Sequence, residues 1–491
     1  MKRECYSPHY SSSWGIGKMR TSKLVGDSIR MFLGTVLSVL IGIITTPIVT
    51  RIIKPYDYGQ LSFFNLYSNI IFTTVLMGLD NSYVRYYYTY TSEKYKHRLT
   101  IRVIALPILI SLFVSALICL LSKYSKSYSL KFAILLSCNI IILLLHRIAL
   151  LTVRLELDTK LYSLIAVIQR IIYLLFIFIG VRLLPLDTLT ILFMAVIISE
   201  LVVCGLAIYK EKRIWKKNGK YTTEDKLINK LHIYRYGIPL IFSAVAGWFF
   251  SAADRLSIKR YGTYEDVGIY ASALNIMSLF SLVQSTFNAL WVPVCMKHYE
   301  EHPDEKDIYI KANNIVSLIM FSAGLVLILF KDIFALFLGE SYRYAAVIIP
   351  ILSFEPIMMT ISETVVYGIN FKGKTYYHVI ITMICCVVNI MGNQFLVPRF
   401  GGQGAAISTA FSYVLFFVLR MYFANKCYPV KFQYKKTIVM VLLIALYALV
   451  NMFIDIDLLL NVIIFGIVMT VALIIYKDSV KLILKMVIRS Y

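Results

Sequence analysis

Residues 210–235, KEKRIWKKNGKYTTEDKLINKLHIYR, are the longest polar stretch of the chain, and nine of them are Lys or Arg. Long apolar segments precede and follow this stretch along almost the whole sequence. Each has roughly 20 residues, the length at which an α-helix crosses a hydrocarbon core of about 30 Å. The basic stretch therefore divides about fourteen predicted membrane-spanning helices into a first group of about six and a second of about eight.

Hydrophobic residues make up 59% of the 491 residues, and the mean hydropathy is +0.73. A water-soluble domain could not bury so many apolar side chains, so the bilayer is the expected solvent. Strands of a membrane β-barrel alternate apolar and polar residues, which these segments do not do. We predict an all-α polytopic membrane protein with spans at residues 28–52, 59–79, 101–121, 129–151, 161–183, 188–208, 234–254, 267–292, 311–330, 344–370, 376–396, 403–423, 437–454 and 458–476.

The net charge of +23 would suggest nucleic acid as a partner of a soluble protein, but in a membrane protein the position of Lys and Arg sets the orientation. With the N-terminus in the cytoplasm, basic residues on the inner side outnumber those on the outer side about threefold. We therefore predict that both termini are cytoplasmic, and we expect no nucleic-acid partner. We expect no cleavable signal peptide in residues 1–24, because they are mostly polar, and Met19 is a second candidate start besides Met1.

A short pattern recurs on the two sides of the basic stretch. Arg51 closes span 1 and is followed by Gly59, whereas Arg255 closes span 7 and is followed by Gly268. Two similar six-helix bundles that face one another around a central cavity produce such a repeat. Because each unit has an even number of spans, the repeat is parallel and its axis runs along the membrane normal.

The predicted organisation has seven parts. They are a cytoplasmic tail (1–27), an N-terminal six-helix bundle (28–208), a basic cytoplasmic linker (209–233), a C-terminal six-helix bundle (234–423), a cytoplasmic loop (424–436), two additional helices (437–476) and a second cytoplasmic tail (477–491).

Charged residues at mid-membrane depth are the first candidates for function because an unpaired charge there is costly. Arg170 lies about 13 Å from the cytoplasmic end of span 5. Glu200 lies at a similar depth on span 6. We treat Arg170 and Glu200 as a candidate pair that binds an anionic substrate in a cavity. The alternatives are a purely structural salt bridge, or an arginine that snorkels towards the cytoplasm.

Three carboxylates are candidates for coupling to an ion or proton gradient: Glu355, Glu363 and Asp254. Glu355 lies near mid-depth in span 10, and a buried carboxyl can take and release a proton during a transport cycle. The competing interpretation is a neutral carboxyl that is hydrogen-bonded at the bend between Pro350 and Pro356.

Arg51, Arg85 and Arg255 are further candidates for binding substrate. Together with Asp254 they are predicted to lie at span ends, where they would act as gate residues or, as charges at helix ends more often do, as anchors at the membrane interface.

Other functional classes lack their sequence signatures. The chain has no Walker A, HExxH or GxSxG motif, and its eight cysteines include no CxxC pair. We expect neither an enzyme nor a metal site, and no cofactor apart from an ion or proton gradient.

Several motifs together resemble a known family. They are the exit of span 1 from Pro47 to Gly59 (PIVTRIIKPYDYG), GLDNSYVRYY at 78–87, DRLSI and VGIYASALNIM between Asp254 and Met277, and NQFLVPRFGGQGAAISTAFSYVLF from Asn393 to Phe416. From about Ser22 onward the chain is similar to Wzx-type polysaccharide flippases, in the MATE-like MOP exporter superfamily.

The resemblance implies a transporter in the bacterial cytoplasmic membrane. It would move undecaprenyl-diphosphate-linked oligosaccharide repeat units to the outer face by alternating access, for capsule, O-antigen or exopolysaccharide synthesis. Arg170 would suit the diphosphate. Membrane lipid, a polysaccharide polymerase and chain-length proteins are the other implied partners. A MATE-type multidrug or organic-cation exporter is the alternative, and a membrane polysaccharide polymerase is a third.

Overall fold

The computed structural model describes residues 41–42, 44–90, 92–124, 129–216 and 230–489. The predicted tail 1–27, most of span 1 and half of the basic linker lie outside the described residues. The described part of the chain is helical and contains no strand. It is an all-α multi-pass membrane protein, as predicted.

The first half of the chain contains α1 to α7. The helices are α1 (residues 41–42 and 44–52), α2 (Pro55–Leu76), α3 (Leu79–Tyr86), α4 (Glu93–Tyr124), α5 (Leu130–Leu155), α6 (Thr159–Leu183) and α7 (Thr188–Lys210), followed by the short α8 (Lys212–Trp215). Ser129, Asp158 and Asp187 cap the N-termini of α5, α6 and α7 by accepting hydrogen bonds from backbone N–H groups.

The second half begins after the linker. It contains α9 (Lys230–Tyr261), α10 (Tyr264–Glu301), α11 (Asp307–Leu329), α12 (Lys331–Phe337), α13 (Ala345–Leu352), α14 (Phe354–Val365), α15 (Tyr367–Phe371), α16 (Tyr376–Cys427), α17 (Tyr434–Phe453), α18 (Leu458–Ile475) and α19 (Lys477–Arg489). Gly401 has a left-handed φ of 54° and interrupts α16, so this segment accommodates two predicted spans.

Ten helices of the described residues are long and apolar enough to cross a membrane, or eleven if the bent pair α2 and α3 is one span. The predicted count of fourteen, like the predicted domain boundaries, stays a prediction. The bend between α2 and α3 is 53° and falls at Met77 and Gly78, both of which have positive φ. Span 2 is therefore a broken helix.

The two halves meet at one end through α2 and α10. A Cβ atom on Gly59 would lie 1.8 Å from the carbonyl oxygen of Tyr264, and one on Gly268 would lie 2.0 Å from that of Pro55. Only glycine permits backbones to approach this closely. The predicted topology places this contact at the outer face.

At the opposite end, predicted to be cytoplasmic, α3 packs against α9. Ser82 donates a hydrogen bond to the carbonyl oxygen of Ile233 over 2.8 Å. The Arg85 guanidinium lies 4.7 Å from the ring centroid of Tyr236. The halves are thus in contact at both ends.

One prediction about α9 is wrong. Asp254 and Arg255 do not end the helix that contains span 7, because α9 continues for almost two more turns to Tyr261. Asp254 is 7% exposed, so it is a buried residue rather than an interfacial anchor.

Candidate functional site

A cavity of about 610 Å³ lies between the first half of the chain and α9 and α10. Its walls come from α1, α2, α6, α7, α9 and α10. The lining residues are Gly42, Thr45, Thr46, Val49, Tyr58, Leu61, Ser62, Asn65, Gln169, Arg170, Tyr173, Val196, Ser199, Glu200, Arg255, Ala271, Leu274, Asn275 and Ser278. Most of these side chains carry a hydroxyl, an amide or a charge, which is unusual for a site inside a membrane protein.

Arg170 projects from α6 into this cavity. Its guanidinium faces Gly42 of α1, since a Cβ on that glycine would lie 3.9 Å from an Nη atom of Arg170. Within the described ranges, the guanidinium forms no ion pair and no hydrogen bond with protein, and the side chain is exposed to the cavity. A cation with unused donors at this depth is suited to a mobile anion.

Glu200 projects from α7 into the same cavity. It is 9% exposed, and its Oε2 atom is buried without a hydrogen-bond partner among the described residues. The predicted pair therefore lines one cavity, but no ion pair joins Arg170 to Glu200 in the part of the chain that the structure covers. The unused oxygen can accept a hydrogen bond from a bound molecule.

Arg255 supplies a second guanidinium to the cavity, from α9. One Nη atom donates to the Ser62 hydroxyl over 3.3 Å, and the other donates to the carbonyl oxygen of Ser251 over 3.3 Å. Its Nε is buried without a partner in the described residues. Arg255 thus bridges the two halves, because Ser62 belongs to α2.

Neutral donors and acceptors fill the space between the charges. Asn275 of α10 donates to the Tyr58 hydroxyl over 2.6 Å, which is another polar link between the halves. Asn65, Gln169 and Ser199 line the same space. Two guanidinium groups among amides and hydroxyls can hold an anionic group together with a polyhydroxylated one.

Asp254 lies next to Arg255 in the chain but faces the interior of the second half. Tyr270 and Thr409 donate hydrogen bonds to its Oδ2 over 2.5 and 2.6 Å. Asn393 and Asn389 donate to its Oδ1 over 2.9 and 3.3 Å. Four donors therefore hold one buried carboxyl, and the Oδ1 of Asn393 is buried without a partner in the described residues.

The two other predicted carboxylates differ in their surroundings. Glu355 of α14 accepts a hydrogen bond from the Tyr413 hydroxyl over 3.0 Å. Glu363, two turns later, forms an ion pair with Arg420 over 2.7 Å, and the two side chains are 13% and 12% exposed. Glu363 is thus neutralised by a fixed partner, whereas Glu355 is not.

Arg51 and Arg85, the remaining predicted residues, do not line the cavity. Arg51 is exposed at the end of α1, and Arg85 is exposed at the end of α3, where it stacks against Tyr236. Whether they act as gate residues or as interfacial anchors stays a prediction.

Sequence reasoning missed the residues that contact the three predicted carboxylates: Tyr270, Asn389, Asn393, Thr409, Tyr413 and Arg420. Asn393 begins one of the quoted motifs, and Asn389 precedes it by one helical turn inside an apolar span. They could have been found from the sequence, because two amide side chains on one face of a membrane helix are rare and indicate a polar site.

Residues 24–298 match the protein family described as "Polysaccharide biosynthesis protein". The chain is 23% identical over 211 residues to the probable low-salt glycan biosynthesis flippase Agl15 of Haloferax volcanii, an alignment that covers 42% of this chain and 45% of that protein. It is 26% identical over 261 residues to the uncharacterized membrane protein MJ1068 of Methanocaldococcus jannaschii, over 51% and 50% of the two chains. The chain thus spans about half the length of these curated relatives.

Solved structures show the same fold at low sequence identity. The inward closed conformation of the lipid II flippase MurJ superposes with a TM-score of 0.68 at 15% identity, over 92% of this chain and 100% of the other. An inward-facing multidrug resistance MATE transporter of the MOP superfamily gives a TM-score of 0.54 at 16% identity, over 79% and 94%. The relatives with stated roles are flippases and transporters, not enzymes.

Proposed function

Since the chain belongs to the polysaccharide biosynthesis protein family, we propose that it is a flippase for lipid-linked oligosaccharides. Its substrate would be an undecaprenyl-diphosphate-linked repeat unit. It would move this unit to the outer face of the bacterial cytoplasmic membrane, with both termini in the cytoplasm. A polysaccharide polymerase and chain-length proteins are the partners that we expect in the same pathway.

The observation that carries this proposal is the membrane-embedded cavity that contains Arg170 and Arg255. A diphosphate brings negative charge and several acceptor oxygens, which guanidinium groups bind well. The amides and hydroxyls around them match the hydroxyl groups of a glycan. The lipid tail needs no polar site, because it remains in the hydrocarbon.

The halves are linked at both ends of this cavity, so the structure resembles a closed state of an alternating-access cycle. Breaking the contact of α3 with α9 would admit substrate from the cytoplasm. Breaking the contact of α2 with α10 would release it outside. The cavity residues Ser62 and Arg255 would then separate, because they belong to different halves.

A MATE-type exporter of organic cations is the second candidate. Such a cavity would be expected to carry an excess of acidic groups. Here two guanidinium groups accompany one carboxyl, that of Glu200, which favours an anionic substrate.

The proposal includes coupling to a monovalent cation or proton through Asp254, with Glu355 as a second candidate carboxyl. The support is the buried Asp254 carboxyl and the Oδ1 of the adjacent Asn393, which is buried without a partner among the described residues. Glu363 is omitted because Arg420 already neutralises it.

The test uses the full chain in proteoliposomes with a fluorescent undecaprenyl-diphosphate oligosaccharide. Arg170→Ala should slow translocation about tenfold to a hundredfold, since it removes a charged hydrogen bond worth about 1.5–3 kcal/mol. Arg170→Lys should retain part of the activity. Arg182→Ala is the matched control: Arg182 is exposed on the same helix and stacks on Phe178. Wild-type rates in Arg170→Ala, with the protein folded, would contradict the proposal.

A further inference from the structure

A second, smaller cleft of about 300 Å³ lies on the other side of α2 from the central cavity. We call it the outer cleft, because the predicted topology places it near the outer face. It is lined by Tyr56, Gln60, Phe63, Tyr67, Ser129, Phe132, Leu189, Phe193 and Tyr264. Six of these nine residues are aromatic, so the cleft differs in chemistry from the central cavity.

Helix α2 forms the wall between the two spaces. Its residues 56, 60, 63 and 67 face the outer cleft, whereas residues 58, 61, 62 and 65 face the central cavity. Positions four and three apart fall on one face of a helix, which explains how one helix serves both spaces.

The aromatic rings of the outer cleft stand at steep angles to one another. The Tyr56 and Tyr264 rings are 5.6 Å apart at 86°, and the Phe63 and Tyr264 rings are 5.5 Å apart at 87°. Phe132 and Phe193 are 5.6 Å apart at 70°. Phe193 also stacks on Phe64, with ring centroids 4.3 Å apart at 16°. The rings thus support one another and form the aromatic walls of the cleft.

Polar groups accompany the rings. Gln60 and Ser129 belong to the lining itself. Close by, Lys131 and Asp187 form an ion pair over 2.5 Å, and the Lys259 ammonium lies 4.1 Å from the centroid of the Tyr264 ring. An acyl chain would leave these polar groups without partners, and an organic cation would be repelled by the Lys259 ammonium.

A sugar ring combines the properties that this lining requires. Its axial C–H groups form apolar faces that pack on aromatic rings, while its equatorial hydroxyls need donors and acceptors around the edge. Pockets that combine aromatic walls with a few polar groups orient their ligands through those groups.

We propose that the outer cleft binds one pyranose unit of the transported glycan. This inference rests on the proposed function and adds a second subsite to it, separate from the one for the diphosphate. Because Tyr264 belongs to α10 and the other lining residues belong to the first half, the cleft is complete only while Gly59 and Gly268 are in contact. A sugar in the outer cleft therefore stabilises the outer-closed arrangement.

The experiment uses the purified full chain in nanodiscs and saturation-transfer-difference NMR with free glucose, galactose and N-acetylglucosamine. Transfer from aromatic protons to at least one of these sugars is expected. Tyr56→Ala and Tyr264→Ala should each weaken binding about two- to tenfold, the value of one aromatic contact. Tyr261→Ala is the matched control, because Tyr261 is exposed three residues before Tyr264 and does not line the cleft.

Loss of the signal in Tyr56→Ala and Tyr264→Ala, with Tyr261→Ala unchanged, supports the proposal. It is overturned if none of the sugars gives a signal, or if the three variants behave alike. Arg170→Ala separates this result from the proposed function: it should slow translocation about tenfold to a hundredfold while the sugar signal persists. If Tyr56→Ala leaves the sugar signal unchanged but Arg170→Ala slows translocation in this way, the proposed sugar site is wrong and the flippase function stands.

Discussion

Gly59 of α2 and Gly268 of α10 lie against one another, and each faces the carbonyl oxygen of the residue four positions before the other. Pro55 and Tyr264 provide these two carbonyls, so the contact has local two-fold symmetry. The same two glycines occupy equivalent positions of the sequence repeat. Equivalent residues of the two repeat units thus form the two sides of this interface.

Gly268→Ala should open the α2–α10 contact. The new methyl group would meet backbone rather than a flexible side chain, so the helices must separate. Hydrogen exchange measured by mass spectrometry should become faster in peptides that cover residues 55–63 and 264–272. Gly205→Ala is the control, because nothing lies within 4 Å of a Cβ at that position. Equal exchange in the two variants would refute the prediction.

Asp254→Asn should abolish stabilisation by the cation that we propose to bind there. The substitution retains the shape of the side chain but removes the negative charge that a cation needs. A cation that binds the native state at a hundred times its Kd adds about 2.7 kcal/mol of stability, which thermal unfolding detects. Melting is compared in sodium, potassium and choline chloride and at several pH values. Asp332→Asn, an exposed carboxylate, serves as the control; a cation response that survives in Asp254→Asn would exclude this site.

Breaking the Glu363–Arg420 pair should destabilise the protein by about 3–5 kcal/mol, the cost of leaving one buried charge alone. Arg420→Met and Glu363→Met should each lower the melting temperature strongly. The double variant should be more stable than either single one, since no unpaired charge remains. If the double variant loses as much stability as the two single variants together, Glu363 and Arg420 are not energetically coupled.

Acid should weaken a cluster at the predicted cytoplasmic end of α5. Burial alone would raise the pKa of Glu156, but hydrogen bonds from Lys96 and Tyr87 outweigh it and hold the pKa below its ordinary range. Because the folded-state pKa is the lower one, this stability is fully present above about pH 4.3 and is lost as the pH falls through the folded value.

The check is the melting temperature between pH 7 and pH 4 in Glu156→Gln and in Glu340→Gln, whose side chain is 87% exposed. Glu156→Gln should show a shallower decline in acid than the wild type. Glu340→Gln should follow the wild-type curve. A decline in Glu156→Gln as steep as that of the wild type would assign the acid sensitivity to other groups.

Much of the fold could be predicted because hydropathy and charge report directly on the bilayer. Apolar segments of sufficient length located the helices, and the charge of Arg170 inside an apolar span marked it as a candidate, which lines a cavity in the structure. Both inferences need only local sequence. The repeat could be recognised as well, since the glycines of a close backbone contact tolerate no other residue.

The error at Asp254 has a different cause. Two consecutive charged residues resemble the end of a span, because hydropathy does not show which residues a side chain contacts in the folded protein. Here Asn389, Asn393 and Thr409 satisfy the carboxyl from more than 130 positions away, which no local pattern reveals. The bend of span 2 was not predicted for a similar reason. The prolines that indicated a bend lie in span 10, whereas the positive φ values that bend span 2 occur at Met77 and Gly78.

Asp254 and Arg255 are joined by one peptide bond, yet one faces the interior of the second half and the other faces the cavity. An ion that repositions Asp254 must turn the same stretch of α9 that holds Arg255. If a cation binds at Asp254 and cargo binds at Arg255, each ligand must alter the affinity of the other by the same factor, as thermodynamic linkage requires. The dissociation constant of the cation would then show whether the transporter carries cargo.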